Sequence, residues 1–212
     1  MDKFIALDKA KQQKILDAAL KEFAENGYEQ ASTNRIVKGA GIGKGMLFYY
    51  FKSKKELYDY LTGYSLDFMM ENYFNLVDVS ETDFIERLQR IAEVKIKAQS
   101  ENRNVFNFIG TLLLAKDSGL PSNIQKKYED MQKIGNEMLY KGIDTTMFRD
   151  DVDVEKAFKL IRWSMDGYQN ELLHKLEGQR LATVDFEPYW QEFYGYLDIL
   201  KKSFYKERKQ ET

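Results

Sequence analysis

The stretch ASTNRIVKGAGIGKGMLFYYFKSKKEL, residues 31–57, decides the fold. Glycines alternate with other residues around Lys44, and four bulky residues and a group of lysines follow. A glycine-rich loop around a lysine is one form of nucleotide site. The P-loop pattern fails here because position 38 is not glycine and Gly45 stands where serine or threonine is required. The dinucleotide fingerprint lacks its last glycine, and no predicted strand precedes the stretch.

The same residues fit two short helices joined by a tight turn. Ser32 can cap a first helix that ends at Gly41, where glycine tolerates the positive φ that reverses the chain. A second helix follows over about 44–51. Its expected core side chains are Leu47, Phe48 and Phe51. Its expected outward side chains are Lys44, Met46, Tyr49 and Tyr50. This is helix-turn-helix geometry, in which the second helix enters the DNA major groove.

Charge is distributed unevenly along the chain. The net charge is only −2, yet residues 31–55 contain no acidic residue. They contain six basic residues: Arg35, Lys38, Lys44, Lys52, Lys54 and Lys55. A basic segment on an acidic body predicts a local contact with a polyanion.

Composition excludes several classes of function. The 212 residues include no cysteine and one histidine, His174, so we expect neither disulfides nor a zinc site. No nucleophile, histidine and acid set is recognisable, so we expect neither an enzyme nor a bound cofactor. The N-terminus lacks a secretory core, and no apolar run approaches the roughly 20 residues of a membrane span. We therefore expect a cytoplasmic protein without membrane contact.

Hydrophobic periodicity is helical almost throughout, which predicts an all-α protein of about nine helices. An N-terminal helix-turn-helix head of three helices would join a larger helical body. The helices are expected near 9–26, 32–40, 44–51, 53–75, 82–100, 105–116, 123–142, 154–177 and 186–207. Gly27 is expected to end the first, and SKKE at 53–56 to cap the fourth.

The quoted stretch resembles the DNA-binding signature of TetR/AcrR-family transcriptional regulators. The match covers roughly residues 12–60 and agrees in spacing and residue class over many consecutive positions. It departs at Gly43 and Met46, where serine or threonine is common, at Phe48, which lacks the usual tyrosine hydroxyl, and at Tyr49, where histidine is common. The resemblance implies domains of 1–52 for DNA binding and 53–212 for ligand binding and dimerisation.

What the resemblance implies for DNA contact can be set against side-chain chemistry. Hydroxyls can bind phosphate, an amide can pair with adenine, a lysine can contact guanine or phosphate, and a methionine can pack on a thymine methyl. The predicted DNA-binding residues are Ser32, Thr33, Asn34, Lys44, Gly45, Met46, Tyr49, Tyr50 and Lys54.

In the resembled family the body encloses a pocket for a small, often hydrophobic effector, and methionine and aromatic side chains suit such a pocket. The predicted ligand-binding residues are Phe68, Met69, Phe84, Ile91, Phe106, Ile109, Met131, Met138, Trp163 and Tyr168. Any one of them is more often ordinary core than pocket lining, and Trp163 and Tyr168 can instead face a partner chain.

The last helix carries two adjacent apolar stripes, although a helix on the surface of a domain needs only one. The second stripe, together with the resemblance, predicts a homodimer through the last two helices. The predicted interface residues are Tyr189, Trp190, Phe193, Tyr196, Leu197 and Leu200. Together with what the resemblance implies, the sequence predicts a dimeric repressor that binds a pseudo-palindromic operator in double-stranded DNA and is released by an effector. The alternative is a helical protein-interaction module without specific DNA binding.

Overall fold

The computed structural model describes residues 2–115 and 121–207. These residues form ten α-helices, three short 3₁₀ helices and no β-strand, which confirms the all-α prediction. The α-helices are α1 Asp2–Ile5, α2 Lys9–Gln30, α3 Thr33–Ala40, α4 Lys44–Tyr50, α5 Lys54–Asn72, α6 Phe84–Glu101, α7 Arg103–Ala115, α8 Ser122–Tyr140, α9 Val154–Leu176 and α10 Glu187–Phe204. The 3₁₀ helices are Phe74–Leu76, Thr145–Met147 and Leu181–Thr183.

The nine predicted helices all appear, with ends that differ by a few residues, and residue 116 of the predicted sixth helix lies outside the described residues. Helix α1 was not predicted. Gly27 leaves the helical conformation at φ 64° and ψ 177°, as predicted, but helical turns resume beyond it. At the start of α5, the Ser53 hydroxyl accepts a hydrogen bond from the Glu56 amide, while the Glu56 carboxylate accepts one from the Lys52 amide. The predicted cap therefore forms. In a standard capping box the Glu56 carboxylate would accept from the Ser53 amide, whereas here it accepts from the amide one residue earlier.

The described residues divide into two compact units. The first contains residues 2–75, 97–115, 121–133 and 180–184. Its core is built on α2, whose inner face buries Ile15, Ala19, Leu20 and Phe23. Helices α3, α5 and α7 pack against α2. Each large apolar side chain buried in this way stabilises the unit by about 1.5–3 kcal/mol.

The second unit contains residues 76–96, 134–179 and 185–207. Its core includes Phe84 and Ile85 of α6, Ile161 of α9 and Leu197 of α10. Asp83 begins α6 by accepting the Ile85 amide at 2.9 Å, and it also accepts the Tyr205 hydroxyl at 2.7 Å. This bond joins the segment after α10 to the start of α6.

These units do not follow the predicted division after residue 52. The predicted head lies in the first unit together with α5, α7 and parts of α6 and α8. Val105 and Phe108 of α7 belong to the same core as the head residues. The division into domains of 1–52 and 53–212 therefore stays a prediction.

Candidate DNA-binding site

The turn between α3 and α4 has the predicted geometry. Gly41 ends α3 in the left-handed region, at φ 67° and ψ 33°. The Ile42 amide then donates to the Val37 carbonyl at 3.0 Å, which closes the end of the helix. A side chain at position 41 would be strained at this φ, so glycine is the residue that suits the turn.

Helix α4 buries a different set of side chains from the one expected. Leu47 and Phe51 are each 1% exposed, as predicted, but Tyr50 is also buried, at 5%. Phe48 was expected in the core and is 38% exposed. Residues 47, 50 and 51 share one face at helical spacing, while 48 lies beside that face and 49 lies on the opposite side of the helix. The expected orientations of Tyr50 and Phe48 were therefore wrong, and the burial of Tyr50 does not favour its predicted contact with DNA.

The exposed side of α4 carries four of the predicted contact residues: Lys44, Gly45, Met46 and Tyr49. Met46 is 46% and Tyr49 58% exposed, although both are large and partly apolar. Asn34 is exposed on α3, and Ser32 and Thr33 at the start of α3 are half-buried. The Ser32 side chain makes no capping hydrogen bond to α3, so its hydroxyl is not used within the helix. These residues belong to two consecutive helices joined by the Gly41 turn.

Three of the six cations in the basic segment make contacts within the protein. The Arg35 guanidinium contacts the Glu22 carboxylate at 2.6–3.0 Å, and Lys55 contacts Asp59 at 2.9 Å. The Glu22 contact raises the pKa of Arg35. Four cations of the segment have no ion-pair partner in the part of the chain that the structure describes: Lys38, Lys44, Lys52 and Lys54. Of these, the ammonium of Lys54 is held by backbone carbonyls. The charge available to a polyanion is thus about half of what the sequence suggests.

Lys54 has a structural role that the sequence did not predict. Its ammonium donates to the Glu29 carbonyl at 3.1 Å and the Ala31 carbonyl at 3.0 Å, and it lies 4.7 Å from the centre of the Tyr28 ring. A cation at the C-terminal end of a helix satisfies carbonyls that have no partner within the helix. Lys54 therefore joins the start of α5 to the end of α2, and its contact with DNA stays a prediction.

The predicted ligand-binding residues are split between the two units. The first unit holds Phe68, Met69, Phe106, Ile109 and Met131, and the second holds Phe84, Ile91, Met138, Trp163 and Tyr168. Met69, Phe84 and Phe106 are buried, whereas Trp163 is 64% exposed. The Tyr168 hydroxyl donates to the Tyr189 carbonyl at 2.6 Å, and desolvation raises the pKa of Tyr168 to about 12. Exposure of Trp163 favours the interpretation that it faces a partner.

The predicted dimer residues have mixed positions. Leu197 is 2% exposed in the core of its own unit, which corrects its assignment to an interface, and Phe193 and Leu200 pack against the same core. Tyr189 and Trp190 are half-buried, and Tyr196 is exposed. The two stripes of α10 both turn inward because positions 193, 197 and 200 form a single broad face.

A different apolar surface is exposed on the two adjacent helices α9 and α10. It consists of Leu160, Trp163, Tyr196 and Ile199, which are 46%, 64%, 41% and 59% exposed. We call these four residues the α9–α10 patch. The Tyr196 ring lies 5.4 Å from the ring of Tyr168 on α9, which places the two helices side by side. Exposed large apolar side chains on adjacent helices are candidates for an interaction surface.

Within the described residues, no group of three or more His, Cys, Asp or Glu side chains could hold a metal ion. None of the described helices combines the length and apolar character needed to cross a membrane.

The turn, the exposed face of α4 and the short helices around them define a helix-turn-helix DNA-binding protein. Comparison with known families agrees. Residues 15–61 match the family model described as bacterial regulatory proteins, tetR family, and residues 82–210 match the tetracyclin repressor-like C-terminal domain. Because the second match alone spans more than half of the chain, the protein belongs to the TetR family of transcriptional regulators.

Individual relatives and solved structures are consistent with this membership. The chain is 28% identical over 163 residues to the HTH-type transcriptional repressor KstR2 of Mycobacterium tuberculosis, covering 76% of this chain and 81% of that protein. It is 27% identical to the fatty acid metabolism regulator protein of Bacillus subtilis, over 74% and 80% of the two chains.

Solved structures have the same fold. A TetR-family regulator from Chloroflexus aurantiacus gives a TM-score of 0.65 at 24% identity, over 97% of this chain and 98% of that one. The structure of the ketosteroid transcriptional regulator KstR2 of M. tuberculosis gives a TM-score of 0.60 at 26% identity, over 95% of this chain and 97% of that one.

Proposed function

We propose that this protein is a homodimeric transcriptional repressor that binds a pseudo-palindromic operator and leaves it when a small hydrophobic effector binds. The observation that carries the proposal is the exposed face of α4, with a cation, a methionine and a tyrosine next to a tight helix-helix turn. These side chains are exposed, and their chemistry suits base edges and phosphates.

In this proposal each exposed residue has a distinct task. Lys44 stands at the start of α4 without an ion-pair partner among the described residues, so its ammonium is available to guanine or to phosphate. Met46 would pack on a thymine methyl, and Gly45 would let the backbone approach the duplex closely. Asn34 would read a base through its amide. Ser32, Thr33 and Tyr49 would donate hydroxyl hydrogen bonds to phosphates.

Dimerisation would use the α9–α10 patch. A second copy of the chain would cover Leu160 and Trp163 on one helix and Tyr196 and Ile199 on the other, and burial of these side chains would favour association. A two-fold axis would then present two α4 helices to successive major grooves about 34 Å apart, which requires an operator with two inverted half-sites.

The effector would be an apolar molecule of lipid origin. Two relatives are named for ketosteroid regulation and for fatty acid metabolism, and this chain shares 26–28% identity with them. The methionine and aromatic residues of the predicted ligand-binding set are suited to such a molecule. Effector binding would weaken DNA binding by changing the spacing of the two heads, because both half-sites must be occupied together.

A helical interaction module without DNA binding is the competing function, and salt-dependent binding separates the two. Affinity for duplex DNA should fall steeply between about 50 and about 200 mM salt, since each phosphate contact contributes about 0.9 to the slope of log K against log salt. Lys44→Ala should weaken binding, whereas Lys97→Ala, at an exposed lysine of α6, should not. Equal affinity of wild type and Lys44→Ala would contradict the assignment of α4.

A further inference from the structure

The first helix of the chain packs against the helix proposed to enter the major groove. The Phe4 side chain of α1 is completely buried. Its ring centre lies 4.9 Å from that of Phe51, 5.4 Å from that of Tyr60 and 6.1 Å from that of Tyr50. Edge-to-face and tilted aromatic contacts at these distances are favourable, so α1 is held in place by tertiary packing.

A second anchor fixes the chain between α1 and α2. The Gln12 side chain is buried, and its amide donates to the Ile5 carbonyl at 2.9 Å and to the Leu7 carbonyl at 2.7 Å. Asp8 then caps α2 by accepting the Lys11 amide at 2.9 Å. A buried amide whose two donors are both used restricts the path of the backbone. Residues 2–8, which we call the N-terminal arm, therefore have one defined course along the head.

This course places a cation on the exposed face of α4. The Lys3 ammonium lies 3.9 Å from the centre of the Tyr49 ring, and both residues are exposed. A tyrosine ring face attracts an ammonium group but leaves its N–H donors available to other acceptors. No described carboxylate pairs with Lys3. The arm precedes residues 15–61, which match the family's head, so this cation is an addition to the matched region.

We propose that Lys3 contacts a backbone phosphate of the DNA and that the Tyr49 ring aims its ammonium at that phosphate. The proposal rests on the proposed function, because it adds a contact to the same DNA-binding surface. The three parts have separate tasks: Phe4 and Gln12 fix the arm, Tyr49 orients the lysine, and Lys3 supplies the charge. Contacts of this kind add affinity and fix the position of the head without reading sequence.

The test uses the full-length protein and a duplex that contains its preferred site, obtained by selection from random DNA. The dissociation constant is measured by fluorescence anisotropy from about 50 to about 200 mM salt. Lys3→Met removes the charge and retains an apolar chain over the ring. The slope of log K against log salt should fall by about 0.9 per arm, or about 1.8 for a dimer. Lys3→Arg should keep the wild-type slope.

Two further variants complete the experiment. Lys126→Met, at an exposed lysine of α8, is the matched control and should leave the slope unchanged. In a Tyr49→Leu background, Lys3→Met should cost less affinity than in the wild type, because the ring no longer orients the ammonium. Additive losses would overturn the role of Tyr49, and an unchanged slope in Lys3→Met would overturn the phosphate contact. Absence of salt-dependent binding by the wild type would instead contradict the proposed function itself.

Discussion

The Glu22 carboxylate holds the Arg35 guanidinium and the first turn of α3 at the same time. Its oxygens lie 2.6–3.0 Å from Arg35 nitrogens, and one of them accepts the Ser32 amide at 2.8 Å. Glu22 is 7% exposed, so this carboxylate is inside the protein and its partners are fixed. The pair joins α2 to α3 and removes Arg35 from the charge that could reach DNA.

Glu22→Ala should destabilise the protein by about 1–3 kcal/mol, because the partly buried Ser32 amide loses its acceptor and the Arg35 guanidinium loses its ion pair. Urea denaturation followed by circular dichroism measures this change. Glu25→Ala is the matched control, since Glu25 makes only a 3.9 Å contact with the exposed Lys21 and should change stability by less than about 1 kcal/mol. Equal midpoints for the two variants would show that the Glu22 contacts contribute little.

Lys54→Met should lower stability by about 1 kcal/mol, because the Glu29 and Ala31 carbonyls lose their charged donor. Lys52→Met, two residues earlier, removes an exposed lysine without such contacts and should leave the urea midpoint unchanged. A Lys54→Met variant with wild-type stability and a lower salt slope of DNA binding would assign Lys54 to the duplex and not to the end of α2.

Among the described residues, Arg87 has the largest fully buried side chain, and its guanidinium donates to the carbonyls of Val79, Glu81, Met138 and Lys141. Arg87→Lys cannot supply the same planar set of donors, so several buried carbonyls would lose their partners. We expect a loss of about 3 kcal/mol or more, measured by thermal and urea denaturation. Arg103→Lys, at an exposed arginine of α7, should have almost no effect. Similar stability of the two variants would mean that the Arg87 bonds are dispensable.

Trp163→Glu should weaken self-association at least about thirty-fold, because a central aromatic residue of an interface commonly contributes 2 kcal/mol or more. Sedimentation equilibrium measures the change. Leu76→Glu, at a side chain that is 61% exposed and outside the α9–α10 patch, is the control. The same mass for both variants at every concentration would exclude Trp163 from the interface.

The helices that the sequence predicts well are those with local end signals. Gly41 adopts the positive φ that ends α3, and the Ser53 hydroxyl caps α5, and both features depend on residues within a few positions. Helix α1 has only four residues and no hydrophobic period to detect. It depends on the burial of Phe4 among rings far along the chain, which local patterns do not report.

Side-chain orientation in crowded apolar runs was the least predictable feature. Residues 47–50 are all bulky, so hydrophobicity does not separate Phe48 from Tyr50, although helical spacing from Leu47 and Phe51 favours Tyr50, which also contacts Phe4. On α10 two adjacent apolar stripes suggest one for the core and one for a partner, yet both supply the core, and the exposed Tyr196 and Ile199 lie at one edge of the combined face. The intramolecular contacts of Arg35 and Lys54 could not be predicted from the charge pattern, because their partners are distant in the sequence. Glu22 lies 13 positions from Arg35, and the carbonyls of Glu29 and Ala31 lie 25 and 23 positions from Lys54.

Selection of binding sites from a random-sequence duplex library tests the central claim most directly. The account predicts enrichment of an inverted repeat whose half-sites lie about one helical turn, roughly 34 Å, or a multiple of it apart. Enrichment should be lost with Lys44→Ala and kept with Lys126→Met. Failure of the wild-type protein to enrich any sequence over the starting library would contradict sequence-specific DNA binding, and a single unrepeated half-site would contradict binding as a dimer.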